Sequence, residues 1–220
     1  MKKAYWWILG LIIVGFVLTG LFLSVAPDQI PMHYGASGQI DRWGSKNEML
    51  LLPVINLLFG GFMVWLARRE GKQGREMNER VVAGMTALVL AFFNLLWLFF
   101  MWKAVDQTTV ENGLDGLSMK ACGILIFALM IPLGNSLPKA QRNSIFGLRT
   151  KWSMASDRCW QQSQRLGGYS MMIAGIAGVV LCALLPSEWS IPVVLTLLLT
   201  AAAVSTVGSY RIYRREQTQA

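Results

Sequence analysis

Six long apolar blocks constrain this chain more than any other feature: Ala4–Ala26, Met49–Ala67, Val81–Trp102, Leu117–Leu137, Gly167–Leu185 and Trp189–Tyr210. A helix needs about 20 apolar residues to cross the hydrocarbon of a bilayer. No water reaches the backbone there, so each block must satisfy its own N–H and C=O groups as a helix. The pattern predicts an all-α integral membrane protein with six transmembrane helices. The fourth block is the weakest, because only Ala121–Leu133 is uninterrupted and Lys120 must snorkel outward. Pro53 and Pro132 are expected to kink their helices.

The charges set an orientation. Sixteen of the 20 Lys and Arg residues fall at alternate ends of the blocks: Lys2 and Lys3; Arg68, Arg69, Lys72, Arg75 and Arg80; Lys139, Arg142, Arg149, Lys151, Arg158 and Arg165; Arg211, Arg214 and Arg215. The opposite ends hold Arg42, Lys46, Lys103 and Lys120 beside seven of the twelve acids. Lys and Arg favour the cytoplasmic side, so both termini are expected in the cytoplasm of a bacterial plasma membrane. A five-helix arrangement would put one strongly basic cluster outside. The first block has the basic start of a secretion signal but is too long for one, and is expected to stay as a helix. Three segments follow: residues 1–67, a helix pair with an outer loop; 68–116, a basic connection, third helix and outer loop; and 117–220, the remaining helices with a basic inner loop.

The net charge of +8 raises the question of nucleic acid, but the one-sided placement answers to the membrane, and no direct nucleic-acid partner is expected. Cys122 and Cys182 lie in apolar blocks and Cys159 in a basic loop, so neither a disulfide nor a metal site is expected, and no cofactor. Ser170, Ala174, Gly178 and Cys182 form a small-residue row, as do Ala201, Ser205 and Ser209, which favours close helix packing in lipid. Asn56 and Asn94 lie mid-block, where cross-linking of helices is the commoner role and a polar path the alternative.

Two segments carry more chemistry than a membrane bundle requires. In the outer loop, Ile30–Tyr34 and Gln39–Trp43 flank Gly35-Ala-Ser-Gly38, which predicts a β-hairpin bringing His33 near Asp41. With Tyr34, Arg42 and Trp43 it offers acid, imidazole, guanidinium and aromatic groups at the membrane surface. The readings are a recognition surface or a structural lid. No nucleophile lies near His33 in sequence, so catalysis is not expected. In the inner loop, Ser153 or Ser156 is expected to cap a helix on which Trp152, Ser156 and Trp160 share a face. Such a helix suits the headgroup layer, with Arg149, Arg158 and Arg165 near lipid phosphates. Gly167-Gly168 is expected to end it before the fifth span.

Both segments resemble one family. Gly134-Asn135-x-x-Pro138-Lys139, Asn143, Gly147-Leu-Arg149-Thr150-x-Trp152-Ser, then Trp160 and Arg165-x-Gly-Gly, resemble the signature of the SdpI family of bacterial immunity proteins. Pro31-x-His33-Tyr34-x-x-x-Gly38-x-x-Asp41-Arg42-Trp43-x-x-Lys46 resembles the short domain of unknown function that commonly precedes it. The resemblance implies a multi-span protein protecting its host from a secreted toxic peptide. It also implies a receptor that holds a cytoplasmic repressor at the membrane. The chain departs from the family pattern at Lys151, where Pro is usual, and at Ser163-Gln164, where Thr-His is usual.

The leading expectation is therefore a non-enzymatic immunity protein. His33, Tyr34, Asp41, Arg42 and Trp43 would face the peptide. Asn135, Pro138, Lys139, Asn143, Gly147, Arg149, Thr150 and Trp152 would brace the bundle, contact lipid or recruit a regulator. A small-molecule or lipid transporter is the alternative, needing a polar cavity around Asn56 and Asn94, although no acid or base sits deep in any block. A membrane-embedded enzyme built on His33 and Asp41 is the third reading.

Overall fold

The computed structural model describes residues 2–143 and 145–219. Helix α1 (Lys2–Val25) leads into strands β1 (Gln29–Tyr34) and β2 (Ile40–Ser45). A 3-10 turn (Lys46–Leu50) then runs into α2 (Leu51–Lys72), followed by α3 (Glu76–Val105) and the short α4 (Gln107–Asn112). Next come α5 (Gly116–Ser136), a 3-10 turn (Leu137–Lys139), α6 (Asp157–Leu184), a 3-10 turn (Ser187–Trp189) and α7 (Ser190–Gln219). Among the described residues, six helices are long and apolar enough to cross a membrane: α1, α2, α3, α5, α6 and α7. Their outward faces carry Leu21, Leu58, Leu117, Ile173, Leu199 and many other exposed apolar side chains. Water would not tolerate so large an apolar surface, and a bilayer requires it. The chain is an all-α multi-pass membrane protein with one small antiparallel sheet.

Packing divides the bundle into two sets of three helices. Ile8 and Ile12 of α1, Ala67 of α2, and Val82, Ala83 and Leu90 of α3 form one core. Phe127 and Met130 of α5, Ala174 and Cys182 of α6, and Val193 and Ala201 of α7 form another. The first set also grips the hairpin, through Phe22, Ala26, Ile30, Met49, Met101 and Ala104. Asn94 ties α3 to α1, its Nδ2 donating to the Leu11 carbonyl at 2.9 Å. Asn56 is buried in α2. In the second set the small-residue row lets backbones meet. A Cβ added at Gly134 would lie 2.7 Å from the Gly168 carbonyl oxygen, and one at Gly178 would fall on the Phe127 ring.

Hydrogen bonds show which connections share an end. Tyr5 donates to Glu79 (2.6 Å), the Gln141 amide donates to Asn78 (2.8 Å), and Ser156 donates to Glu216 (2.8 Å). The start of α1, the α2–α3 turn, the α5–α6 loop and the end of α7 therefore lie together. At the other end Lys46 donates to the Ala26 carbonyl, the Leu114 amide to the Gly38 carbonyl, and Lys120 to the Ala183 carbonyl.

Three local expectations are corrected. Gly167-Gly168 does not end a separate helix, because α6 runs unbroken from Asp157 to Leu184. Both glycines are buried, where the lack of a side chain permits contact with Leu148, Gly134 and Pro138 and offsets the conformational cost of glycine. The helical part of the inner loop is accordingly the first turns of α6, not an interfacial helix. At 28 residues, α6 is about 42 Å long, more than the hydrocarbon thickness. Trp152 precedes α6 and Trp160 is 1% exposed, so no outward face of Trp152, Ser156 and Trp160 forms. Ser156 does cap α6, accepting from the Cys159 amide at 3.0 Å. Pro53 falls in the first turn of α2, where a missing N–H removes no helical hydrogen bond. Pro132 lies inside α5.

Candidate functional site at the two ends of the bundle

The hairpin pairs Gln29 with Ser45, Ile30 with Gly44, Pro31 with Trp43, His33 with Arg42 and Tyr34 with Ile40. Register shifts on either side of His33 disturb the strict alternation of side chains. His33 Nδ1 meets Asp41 Oδ1 at 2.6 Å, with the two side chains 65% and 50% exposed. Arg42 donates to Glu48 Oε2 at 2.6 Å, while Glu48 Oε1 accepts from the Ser45 amide at 3.1 Å. Ser45 in turn caps the 3-10 turn, so a capping box and an ion pair lock β2 to the start of α2. Trp43 stands out from this frame, half exposed.

Tyr34 behaves differently from its neighbours. Its ring stacks on Phe100 at 6.2 Å, its hydroxyl is buried without a partner among the described residues, and burial raises its pKa above the ordinary value. The five outer residues thus divide into an exposed group (His33, Asp41, Arg42, Trp43) and an inward Tyr34.

Beside the hairpin, Lys103 is 6% exposed and lies 3.8 Å from both Asp106 and Asp115, with its ammonium 4.4 Å from the Trp102 ring centre. Asp106 caps α4 by accepting from Thr109, and Asp115 caps α5 by accepting from the Ser118 amide. Side-chain hydrogen bonds from Thr108 and Thr109 to Asp106, and from Ser118 to Asp115, hold both carboxyls below their usual pKa of 3.8. Groups with depressed folded-state values stabilise above the unfolded pKa and lose that contribution as pH falls through the folded value. Acidification below about pH 4 is therefore expected to lower the melting temperature. The paired substitutions Asp106→Asn and Asp115→Asn should flatten that acid limb in melts followed across pH.

At the opposite end the α5–α6 loop is a pinned structure. Asn143 Oδ1 accepts from the Ile145 and Phe146 amides and its Nδ2 donates to the Gln141 carbonyl, closing an Asx turn. Phe146 packs against the α1–α3 core. Gly147 follows at φ +96°, a backbone shape that side-chain-bearing residues avoid, and it lies against Gln164. Gln164, fully buried, accepts from the Leu148 amide (2.9 Å) and donates to the Leu148 carbonyl (3.0 Å). Thr150 shares a 2.5 Å hydrogen bond with Ser209 of α7, and Trp152 lies 5.0 Å from the Tyr210 ring. Pro138 packs close to Gly168, and Asn135, Lys139 and Arg149 are exposed. Asn143, Gly147, Thr150 and Trp152 are therefore loop-building residues, while Asn135, Lys139 and Arg149 lie at the surface.

Sequence reasoning missed the network that ties this loop to the other half. Glu70, 1% exposed, accepts from Arg75 at 2.6 Å and from Asn78 at 2.7 Å. Asn78 then accepts from the Gln141 amide, and Trp160 donates to the Ala140 carbonyl at 2.7 Å. Hydrogen bonding to Glu70 raises the Arg75 pKa, and Arg75 also donates to Gln73. A carboxylate flanked by Arg residues in a short basic turn was the available signal. Replacing Glu70 with alanine is expected to leave Asn78 and Arg75 without their acceptor and to cost about 3 kcal/mol, read as a drop in detergent melting temperature.

A family model described as the SdpI/YfhL protein family matches residues 139–209, and one described as Domain of unknown function (DUF1648) matches residues 10–57. "Immunity protein SdpI" of Bacillus subtilis (strain 168) is 23% identical over 217 residues, covering 98% of each chain. An "Uncharacterized protein" of Archaeoglobus fulgidus is 46% identical over 35 residues, covering 16% of this chain and 19% of that one. No solved structure matches the chain. The hairpin lies within matched residues 10–57, and matched residues 139–209 hold the loop from Lys139 through Thr150, Gln164 and Ser209. The chain thus carries an SdpI/YfhL family segment behind a DUF1648 segment, in a six-span bundle similar along nearly its whole length to an SdpI immunity protein.

Proposed function

We propose that this chain is a membrane immunity protein that protects its cell against a secreted toxic peptide. The observation that carries the reading is end-to-end similarity to an immunity protein, with one matched segment including the hairpin and the other the α5–α6 loop. In this reading the hairpin faces the outside of a bacterial plasma membrane, and both termini and the α5–α6 loop face the cytoplasm. The basic residues at the loop end support that orientation. His33, Arg42 and Trp43 offer hydrogen-bonding, cationic and aromatic contacts to a peptide. Asp41 fixes the imidazole, and Glu48 fixes the guanidinium. The role is binding and exclusion, with no chemical step.

The loop end is where a cytoplasmic repressor would be held. Arg149, Lys151 and Arg158 are exposed there, and lipid headgroups are the other anionic partners within reach. Deletion of the gene is expected to sensitise cells to a secreted peptide, and the wild-type chain to restore resistance. A Trp43→Ala chain, made at normal levels, should restore it poorly. Unchanged sensitivity of the deletion strain to every secreted peptide of its neighbours would refute the immunity reading.

A further inference from the structure

A cavity of about 420 Å³ lies at the hairpin end, between the two sets of three helices. Met32 from β1, Phe100 from α3, Cys122 and Ile126 from α5, and Val194 from α7 give it apolar walls. Two hydroxyls also line it, those of Tyr34 and Ser190, and both are buried without a hydrogen-bond partner among the described residues. Ser190 is 4% exposed. A buried hydroxyl with no partner costs free energy, and two at one apolar cavity point to a ligand that supplies the missing partner. The size lies within the range of small-molecule pockets, which are mostly apolar with a few placed polar groups.

The walls also define the ligand's charge. His33 is the one ionisable side chain among them apart from Tyr34 and Cys122, and its Nδ1 is engaged by Asp41. Burial holds the Tyr34 phenol in its neutral, proton-donating form. Among the described residues, the walls carry no Lys or Arg to pair with a phosphate or a carboxylate.

We propose that this cavity binds a neutral amphiphile, whose apolar chain fills the space between Ile126 and Val194 while a hydroxyl or ester oxygen hydrogen-bonds Tyr34 and Ser190. The same chemistry is present in the glycerol-ester region of a bilayer lipid and in a free long-chain alcohol. Because the ligand would touch β1, α3, α5 and α7 together, its binding favours the arrangement that holds the halves as seen. The inference does not depend on the immunity reading.

Photolabelling of the full-length protein tests it with two probes: azi-octanol, a photoreactive alcohol, and an uncharged bilayer lipid, a diacylglycerol carrying a diazirine on its acyl chain, in nanodiscs. Label is expected on the wall residues Cys122, Ile126 or Val194. In the double variant Tyr34→Phe, Ser190→Ala it should fall about ten-fold, the loss expected for two hydrogen bonds of about 0.7 kcal/mol each. The melting temperature of that variant without probe should be unchanged or higher, because each substitution removes an unpartnered buried hydroxyl. Cys122→Leu, which keeps both hydroxyls but fills the space, should also block labelling. Wall labelling by the lipid identifies the bilayer as the source, and labelling by the alcohol alone identifies a free amphiphile. No wall label from either probe overturns the proposal in favour of a water-filled void, and label that persists in the double variant or in Cys122→Leu overturns it in favour of non-specific partitioning.

Discussion

Replacing Trp160 with alanine is expected to lower stability by about 3–5 kcal/mol, the usual cost of emptying a large buried aromatic site. In a chain of this size that corresponds to a fall in melting temperature on the order of 10 °C. The indole is 1% exposed, and its N–H is the donor for the Ala140 carbonyl. Truncation therefore leaves both a cavity and an unsatisfied carbonyl beside the loop. Ala140 adjoins Gln141, whose amide reaches Asn78, so the damage should spread to the contact between halves. Trp160→Phe should recover most of the packing but not the hydrogen bond, leaving a loss of about 1–2 kcal/mol. Limited proteolysis within residues 141–155 provides a second readout. Cleavage should rise sharply in Trp160→Ala and modestly in Trp160→Phe.

The second large effect is expected at Gly168. A Cβ there would lie 2.5 Å from the Gly134 carbonyl oxygen and 3.0 Å from Pro138 Cδ. Neither neighbour is a flexible side-chain tip, so α5 and α6 must separate. Gly168→Val is expected to cost about 3 kcal/mol, and Gly168→Ala somewhat less. Because α5 and α6 carry most of the second core, the variant should also lose expression in the membrane fraction. Gly84→Ala is the matching control, since nothing lies within 4 Å of its Cβ position and alanine favours a helix. It should melt at or above the wild-type temperature.

The spans were legible in the sequence because hydrocarbon imposes one solution on an apolar block of that length. The hairpin was legible because Gly35-Ala-Ser-Gly38 separates two strand-like runs, and the His33–Asp41 contact followed from that turn. The glycine pair at 167–168 was misleading for a physical reason. Glycine often ends helices because it readily takes the left-handed backbone conformation, whereas here its missing side chain lets two helices touch. Gln164 carried no local signal, since a single polar residue in a helix start reads as solvated. Its partners at Leu148 are supplied by a turn that depends on Gly147 and Asn143. The Glu70–Asn78–Gln141 link joins residues distant in sequence, and no spacing rule reaches it.

Gln164 and Ser163 stand where the resembled family carries a Thr-His pair, and both are completely buried. At Gln164 the amide both donates and accepts toward Leu148. A neutral imidazole also offers one donor and one acceptor, so a buried side chain of either type can brace this turn. The departure therefore keeps the bracing chemistry, and gives up a titratable group.

Peptide recognition by the hairpin requires the hairpin and the α5–α6 loop to face opposite sides of the membrane, with the hairpin outside. Cysteine labelling of intact cells measures this directly, using Trp43→Cys and Lys151→Cys chains and a membrane-impermeant maleimide. The parent chain is the background control, since Cys159 and Cys182 are buried and Cys122 is partly so. Trp43→Cys should react in intact cells, and Lys151→Cys only after the membrane is permeabilised. Labelling of Lys151→Cys in intact cells with Trp43→Cys protected would contradict the orientation, and with it the reading of the hairpin as the surface that meets a secreted peptide.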